Sequence, residues 1–329
     1  MKAPITLDDI VAARERIRSR LQLPTPCRRY APLEAKVGHG IRVWVKHENH
    51  LPTNAFKARN ALSAMTNLPP DARVKGVVAA TRGNHGMGLA FAGAELGVPV
   101  TICVPRGNNP EKNDAIRGYG ATLIEEGRDY DESAAVADTL VRERGMHLVH
   151  STNDRDVIAG AGTLTLEMLE EVPNLSAIVY AVGGGSQAVG GLVALSALRP
   201  KVQAFGVQAE GASAIHDSWH ANAPVAKTEA RTFADGLATR GVYAMTFDAL
   251  REGLAGFVSV SEGALARACV TLIRTTHNLV EGAGAAGLAG LLAIAAKGNL
   301  DGKDVGIVLS GANIDLATLR SVLAQSDAQ

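Results

Sequence analysis

Short apolar, β-branched runs alternate with helical periodicity from about residue 40 to the end of the chain, and few folds accommodate that order. "IRVWVKH" (41–47), "KGVVAAT" (75–81), "PVTICVP" (99–105), "ATLIEE" (121–126) and "HLVHS" (147–151) read as strands. So do "AIVYAV" (177–182), "VQAFGVQA" (202–209) and "VGIVLSG" (305–311). Helical stretches at 84–97, 111–119 and 129–145 separate the first group, and the Ala- and Gly-rich run 281–298 reads as a closely packed internal helix. Strands apolar on both faces are strands covered on both faces. Repeated strand–helix–strand order implies an α/β fold with parallel sheets and right-handed crossovers. No internal repeat or low-complexity linker interrupts it.

Composition narrows the partners. Thirty-three basic and 33 acidic residues give a formal net charge of zero, which argues against nucleic acid or an anionic membrane surface. No run approaches the roughly 20 apolar residues a membrane helix needs. The amphipathic N-terminus, with charges throughout, does not read as a signal peptide. Cys27, Cys103 and Cys269 are few, odd in number and far apart, so a zinc ribbon or disulfide framework is not expected and a reducing cytoplasm is.

Three stretches carry polar chemistry at strand ends. "AVGGGSQAVGG" (181–191) follows a strand and opens a helix, where free N–H groups and the helix dipole can hold a phosphate. The same run satisfies G-x-G-x-x-A from Gly183 through Gly185 to Ala188, with Glu210 ending the next strand, so a dinucleotide site and a ligand-free turn stay open. "ATRGNHGMG" (80–88) puts Thr81, Arg82, Gly83, Asn84 and His85 at another strand end, where a carboxylate could dock; taken alone, Asn84 reads as a helix N-cap. "VLSGANID" (308–315) ends an apolar strand on Ser310. "NAFKARNAL" (54–62) sets Lys57 at a helix start after a Pro-Thr-Asn turn; by position alone it is an ordinary lysine.

In order, NAFKARNA, TRGNHGMG, GGGSQAVG, EGAGAAGLA and LSGANID resemble the motif series of the fold-type-II pyridoxal-phosphate enzymes, in particular the threonine/serine dehydratase branch. The likeness runs from "LPTPCRRYAPLE" (23–34) to the last strand. It implies a two-domain, tryptophan synthase beta-like fold, with 52–151 as a small domain inserted into a large one made of 1–51 and 152–329. Lys57 would then be the lysine that carries pyridoxal 5'-phosphate and takes the α-proton. Phe56, Gly183, Gly184, Gly185, Ser186 and Glu281 would surround the cofactor, Asn84 would bond its ring hydroxyl and Ser310 its pyridine nitrogen. Thr81, Arg82, Gly83, Asn84 and His85 would hold the substrate. A hydroxyl at Ser310 cannot keep the pyridine protonated as a carboxylate would, which favours expulsion of a β-leaving group over racemisation or transamination.

The function this implies is dehydration and deamination of a β-hydroxy amino acid, threonine or serine, to a 2-oxo acid and ammonia by a homodimer. Alternatives are 3-hydroxyaspartate, phenylserine or another β-substituted amino acid, racemisation, or, from another class, a nicotinamide-dependent oxidoreductase read from the glycine loop. Arg82 stands where the branch has a small residue; its guanidinium could pair with a second substrate carboxylate or point to solvent. Met87 and Ala312 also depart from the pattern. Some relatives bind a cation beyond the strand near Glu210; here His216 takes the place of an acid, so Glu210 is a weak candidate and no metal is expected. With nothing after residue 329 to act as a regulatory domain, feedback control of the long biosynthetic type is not expected.

Overall fold

A computed structural model describes residues 1–327. Among the described residues, ten strands form two sheets: β1 (Cys27–Arg29), β2 (Arg42–His47), β3 (Val77–Ala80), β4 (Val100–Val104), β5 (Thr122–Glu125), β6 (His147–Leu148), β7 (Leu175–Ala181), β8 (Gln203–Ala209), β9 (Gly256–Val260) and β10 (Asp304–Leu309). The larger sheet has the order β1-β2-β10-β7-β8-β9 and the smaller β5-β4-β3-β6. Every pairing is parallel except β1 with β2, an antiparallel edge that the alternating pattern does not announce.

Helices cover both faces of each sheet's interior, which is why inner strands such as β3 and β7 are buried on both faces, while the edge strands β1 and β5 are partly exposed. Along β7, Ala177 and Val179 enter one buried cluster while Ile178 and Tyr180 enter another. In β3, Val77 and Ala79 face one side and Val78 and Ala80 the other. The helix Gly282–Ala295 packs across the larger sheet, and its small residues are the reason it fits. A Cβ on Gly290 would come within 2.8 Å of Val207 Cβ.

The helix Lys57–Thr66 lies against Arg155–Glu171, a helix the sequence pattern does not disclose. Between them runs a buried ionic network. Arg59, fully buried, donates to Glu48 at 2.7 and 2.9 Å and to Glu167 at 2.7 and 2.8 Å. Lys46 Nζ lies 2.8 Å from both Glu167 and Glu171. Lys46, Glu48, Arg59 and Glu167 are desolvated and Glu171 closes the network at the surface, so removal of a buried partner leaves charge uncompensated in the interior.

Strand ends differ from the sequence expectation by one to three residues: 75–81 shortens to β3 and 147–151 to β6. Gly76 ends the preceding helix Pro70–Lys75 and cannot belong to β3. Cys103 and Cys269 are buried and Cys27 half-buried; burial pushes their thiols up to about 11, 12 and 12. Among the described residues no helix is long and apolar enough to cross a membrane.

Candidate active site

The C-terminal ends of the parallel strands face a cavity of about 630 Å³ between the two sheets, where α/β folds place ligands. Lys57 opens its helix at this cavity. The turn before it is tied to the end of β10: Ala55 bridges Gly311, Phe56 N–H donates to Ser310 O at 2.9 Å, and Ala312 N–H donates to Asn54 O at 2.9 Å. Lys57 Nζ donates to Ser151 O at 3.1 Å and lies 3.5 Å from Ser186 Oγ. The Phe56 ring is 4.9 Å away. Burial without a carboxylate partner lowers the amine to about 8, which separates it from an ordinary surface lysine.

Across the cavity, Gly183, Gly184 and Gly185 join β7 to the helix Ser186–Leu198. Gly185 is in the left-handed region at φ 97°. A Cβ on Gly183 would overlap Gly236 O, and one on Gly184 would overlap Thr152 Oγ1. Thr246 Oγ1 donates to Gly184 O at 2.8 Å. The N–H groups of Gly183, Gly184 and Gly185 have no partner among the described residues. Open donors at a helix N-terminus, with a floor only glycine allows, suit a phosphate.

Asn84 is not the N-cap that its place before a helix suggests. Gly83 holds that position, and Asn84 is the first helical residue. Its side chain instead spans the site: Nδ2 donates to Glu281 Oε1 at 2.6 Å and Oδ1 accepts from Asn313 Nδ2 at 2.8 Å. Asn313 also donates to Thr53 O at 2.9 Å. Burial raises Glu281 to about 7, against the pull of Lys112 and the Asn84 hydrogen bond. A Cβ on Gly311 would overlap Glu281 Oε1, so a larger residue here would displace the Glu281 carboxylate. Ser310 is buried and its Oγ has no hydrogen-bond partner among the described residues.

The 81–85 segment divides its duties. Thr81 Oγ1 accepts from Gly83 N–H at 3.2 Å and shapes the turn. His85 turns inward to Val149 O at 3.0 Å; burial, then the Lys57 charge, push it down to about 3, so the ring is neutral. Arg82 is exposed at the mouth. Lys112, bonded to Asp235 at 2.6 Å, also lines the cavity, and sequence spacing gives no hint of that pair across 123 residues. Glu210 lies apart from this cavity, exposed at the start of a short turn after β8, while His216 bonds Asp217 at 2.8 Å. Among the described residues no group of three or more His, Cys, Asp or Glu side chains could hold a metal.

The family model described as "Pyridoxal-phosphate dependent enzyme" matches residues 18–311. The chain belongs to that family. Its cofactor is pyridoxal phosphate, and the dinucleotide reading of Gly183–Ala188 has no support left. An "L-threonine ammonia-lyase" of Geobacter sulfurreducens is 40% identical over 284 residues, 86% of this chain and 70% of that protein. A solved threonine deaminase from T.th. is 34% identical with a TM-score of 0.88, covering 95% of this chain and 99% of that one. Maize serine racemase is 28% identical with a TM-score of 0.91, covering 98% of each chain. The pyridoxal-phosphate site needs an amine, a phosphate cradle and polar groups for the ring; Lys57, the Gly183–Ser186 loop, Asn84 and Ser310 could supply them.

Proposed function

We propose that this pyridoxal-phosphate enzyme is an ammonia-lyase that removes water and then ammonia from threonine or serine, leaving a 2-oxo acid. The observation that carries the proposal is the pairing, in one cavity, of a Lys57 amine lowered to about 8 with a Ser310 hydroxyl free to accept or donate. When bound, the cofactor supplies an electron sink for the charge left at the α-carbon. Lys57 would hold the cofactor through its amine and, once that amine is free, would take the proton from the substrate α-carbon. At pH 7 roughly a tenth of an amine with that pKa is neutral, enough for a base. The open amides of Gly183, Gly184 and Gly185, with Ser186, hold the phosphate. Asn84, its amide direction fixed by Glu281 and Asn313, would bond the ring hydroxyl. Ser310 would face the ring nitrogen with a hydroxyl too weakly acidic to protonate it, which would favour loss of the β-hydroxyl over return of the proton to the other face. Thr81, Arg82, Gly83 and Asn84 receive the substrate carboxylate, and His85 supports their turn.

In this proposal the chain divides into 1–51 with 152–329, and 52–151, as the sheet membership of the strands suggests. The enzyme acts as a homodimer in a reducing cytoplasm, consistent with three free cysteines. Borohydride reduction of the holoenzyme should fix cofactor mass on the Lys57 peptide, and threonine should yield ammonia and 2-oxobutyrate. Lys57→Ala should abolish turnover and the visible band of the bound cofactor while the fold persists. Label on Lys46, racemisation as the main reaction, or no 2-oxo acid from threonine, serine, 3-hydroxyaspartate or phenylserine would sink it.

A further inference from the structure

Three neighbouring strands of the smaller sheet each lead into an arginine. Arg82 stands two residues beyond β3, Arg106 two beyond β4 and Arg128 three beyond β5. The strands are adjacent and parallel, so these positions share one edge, and the three side chains line a cavity of about 410 Å³. It adjoins the Lys57 cavity without coinciding with it. The two share Arg82, Lys112, Asp235, Glu281 and Ala283, whereas Arg106 and Arg128 line only the outer one and Lys57 and Ser310 only the inner.

The carboxylates of the outer cavity are already committed. Asp235 holds Lys112, Glu281 holds Asn84, and Asp315 accepts from Asn109 and from Thr318. Arg128 is paired with Glu132. Arg82 and Arg106 are exposed, and neither makes a side-chain hydrogen bond or ion pair with another described residue. Arg106 has the Glu132 carboxylate within electrostatic range but beyond ion-pair distance; guanidinium groups lining one cavity repel each other, and an oxyanion between them relieves that repulsion. We propose that the outer cavity is a second, anion-binding site that takes a small carboxylate or phosphate compound through Arg82 and Arg106, with Arg128 beside them.

The anion has two possible sources. It is either the distal carboxylate of an acidic substrate reaching past Arg82, or a free oxyanion bound while the amino acid sits beside Lys57. The first source rests on the dehydratase assignment; the site itself does not.

Calorimetric titration of the holoenzyme with succinate and with inorganic phosphate reads the site directly. Binding should weaken about fivefold in Arg106→Ala and again in Arg106→Ala/Arg128→Ala, the upper end for exposed charge pairs, and should weaken with added salt. Threonine turnover in Arg106→Ala should match the wild type. A matching loss of kcat/KM for 3-hydroxyaspartate alone identifies the substrate as the source. Threonine kinetics that respond to succinate in the wild type and not in the variant identify a free anion. If neither anion binds in an Arg106-dependent way and neither substrate distinguishes the proteins, the site does not exist. Absence of threonine turnover would remove the dehydratase assignment, and the calorimetry would still decide whether the anion site exists.

Discussion

Gly183→Ala separates a phosphate cradle from a mere turn. The new Cβ would overlap the backbone oxygen of Gly236, 3.2 Å from its carbon and 3.6 Å from Leu237 Cα. None of these atoms belongs to a flexible side chain. Gly236 sits in the short turn Asp235–Leu237, with Asp235 held by Lys112 and Leu237 buried. On the other side, Val182 N–H is bonded to Val207 O at 2.9 Å, so the loop cannot back away freely. Relief requires one backbone segment to retreat by about 1 Å or more, and such overpacking costs roughly 1–3 kcal/mol. If the displaced amides hold the phosphate, the cofactor dissociation constant rises about 5- to 150-fold. Gly184→Ala makes the instructive contrast, since its clash is with a side chain: the new Cβ would overlap Thr152 Oγ1 and lie 2.8 Å from Thr152 Cγ2. Thr152→Ala removes both atoms but keeps Thr152 Cβ, 2.8 Å from the new Cβ, so it should restore part of the affinity in Gly184→Ala, while doing nothing for Gly183→Ala. The assay is titration of cofactor-free protein, followed by visible absorbance, with thermal melts alongside. Wild-type affinity in Gly183→Ala, or equal rescue of both variants by Thr152→Ala, would refute the reasoning.

Ser310→Asp should protonate the pyridine nitrogen, slow elimination and raise the share of transamination per turnover; an unchanged rate and product partition would remove Ser310 from that role. Glu281 is raised to about 7 in the folded chain from an ordinary 4.5, so its proton is held more tightly folded than unfolded. Cofactor-free wild type should therefore lose stability relative to Glu281→Gln as pH climbs from about 4.5 to 7, on the order of 3 kcal/mol; denaturant midpoints that move in parallel across that window would contradict the assignment. Arg59→Met strands Glu48 in the interior, leaves Glu167 only its Lys46 partner, and should destabilise by about 3–5 kcal/mol, whereas the triple change with Glu48→Gln and Glu167→Gln should recover part of that loss by chemical denaturation.

The strands are readable because burial on both faces makes them continuous apolar runs, as β10 illustrates with all six residues buried. Arg155–Glu171 is hidden because "GAGTLT" at its centre has weak helix propensity; packing imposes the helix, and Gly160 is there because a Cβ would lie 2.6 Å from Arg59 O. Lys57 can be singled out only through the ordered motif series, since nothing local says that its amine is enclosed. Asn313 lies inside the LSGANID run, yet its hydrogen bond to Asn84 spans 229 residues. Asn84 itself shows the limit of local rules. An asparagine before a helix is a good cap, but here the tertiary partners Glu281 and Asn313 claim its side chain and leave the cap to Gly83.

The position of β10 bears on how this chain comes off the ribosome. Residues 304–309 fill the gap between β2 and β7, two strands synthesised long before. Until they emerge, both neighbours present an unpaired edge, the kind that recruits other chains. The nascent protein therefore carries an open β2 edge through the synthesis of everything from residue 48 to residue 303. A message truncated before Asp304 would yield a product whose larger sheet is split down the middle, headed for aggregation or proteolysis.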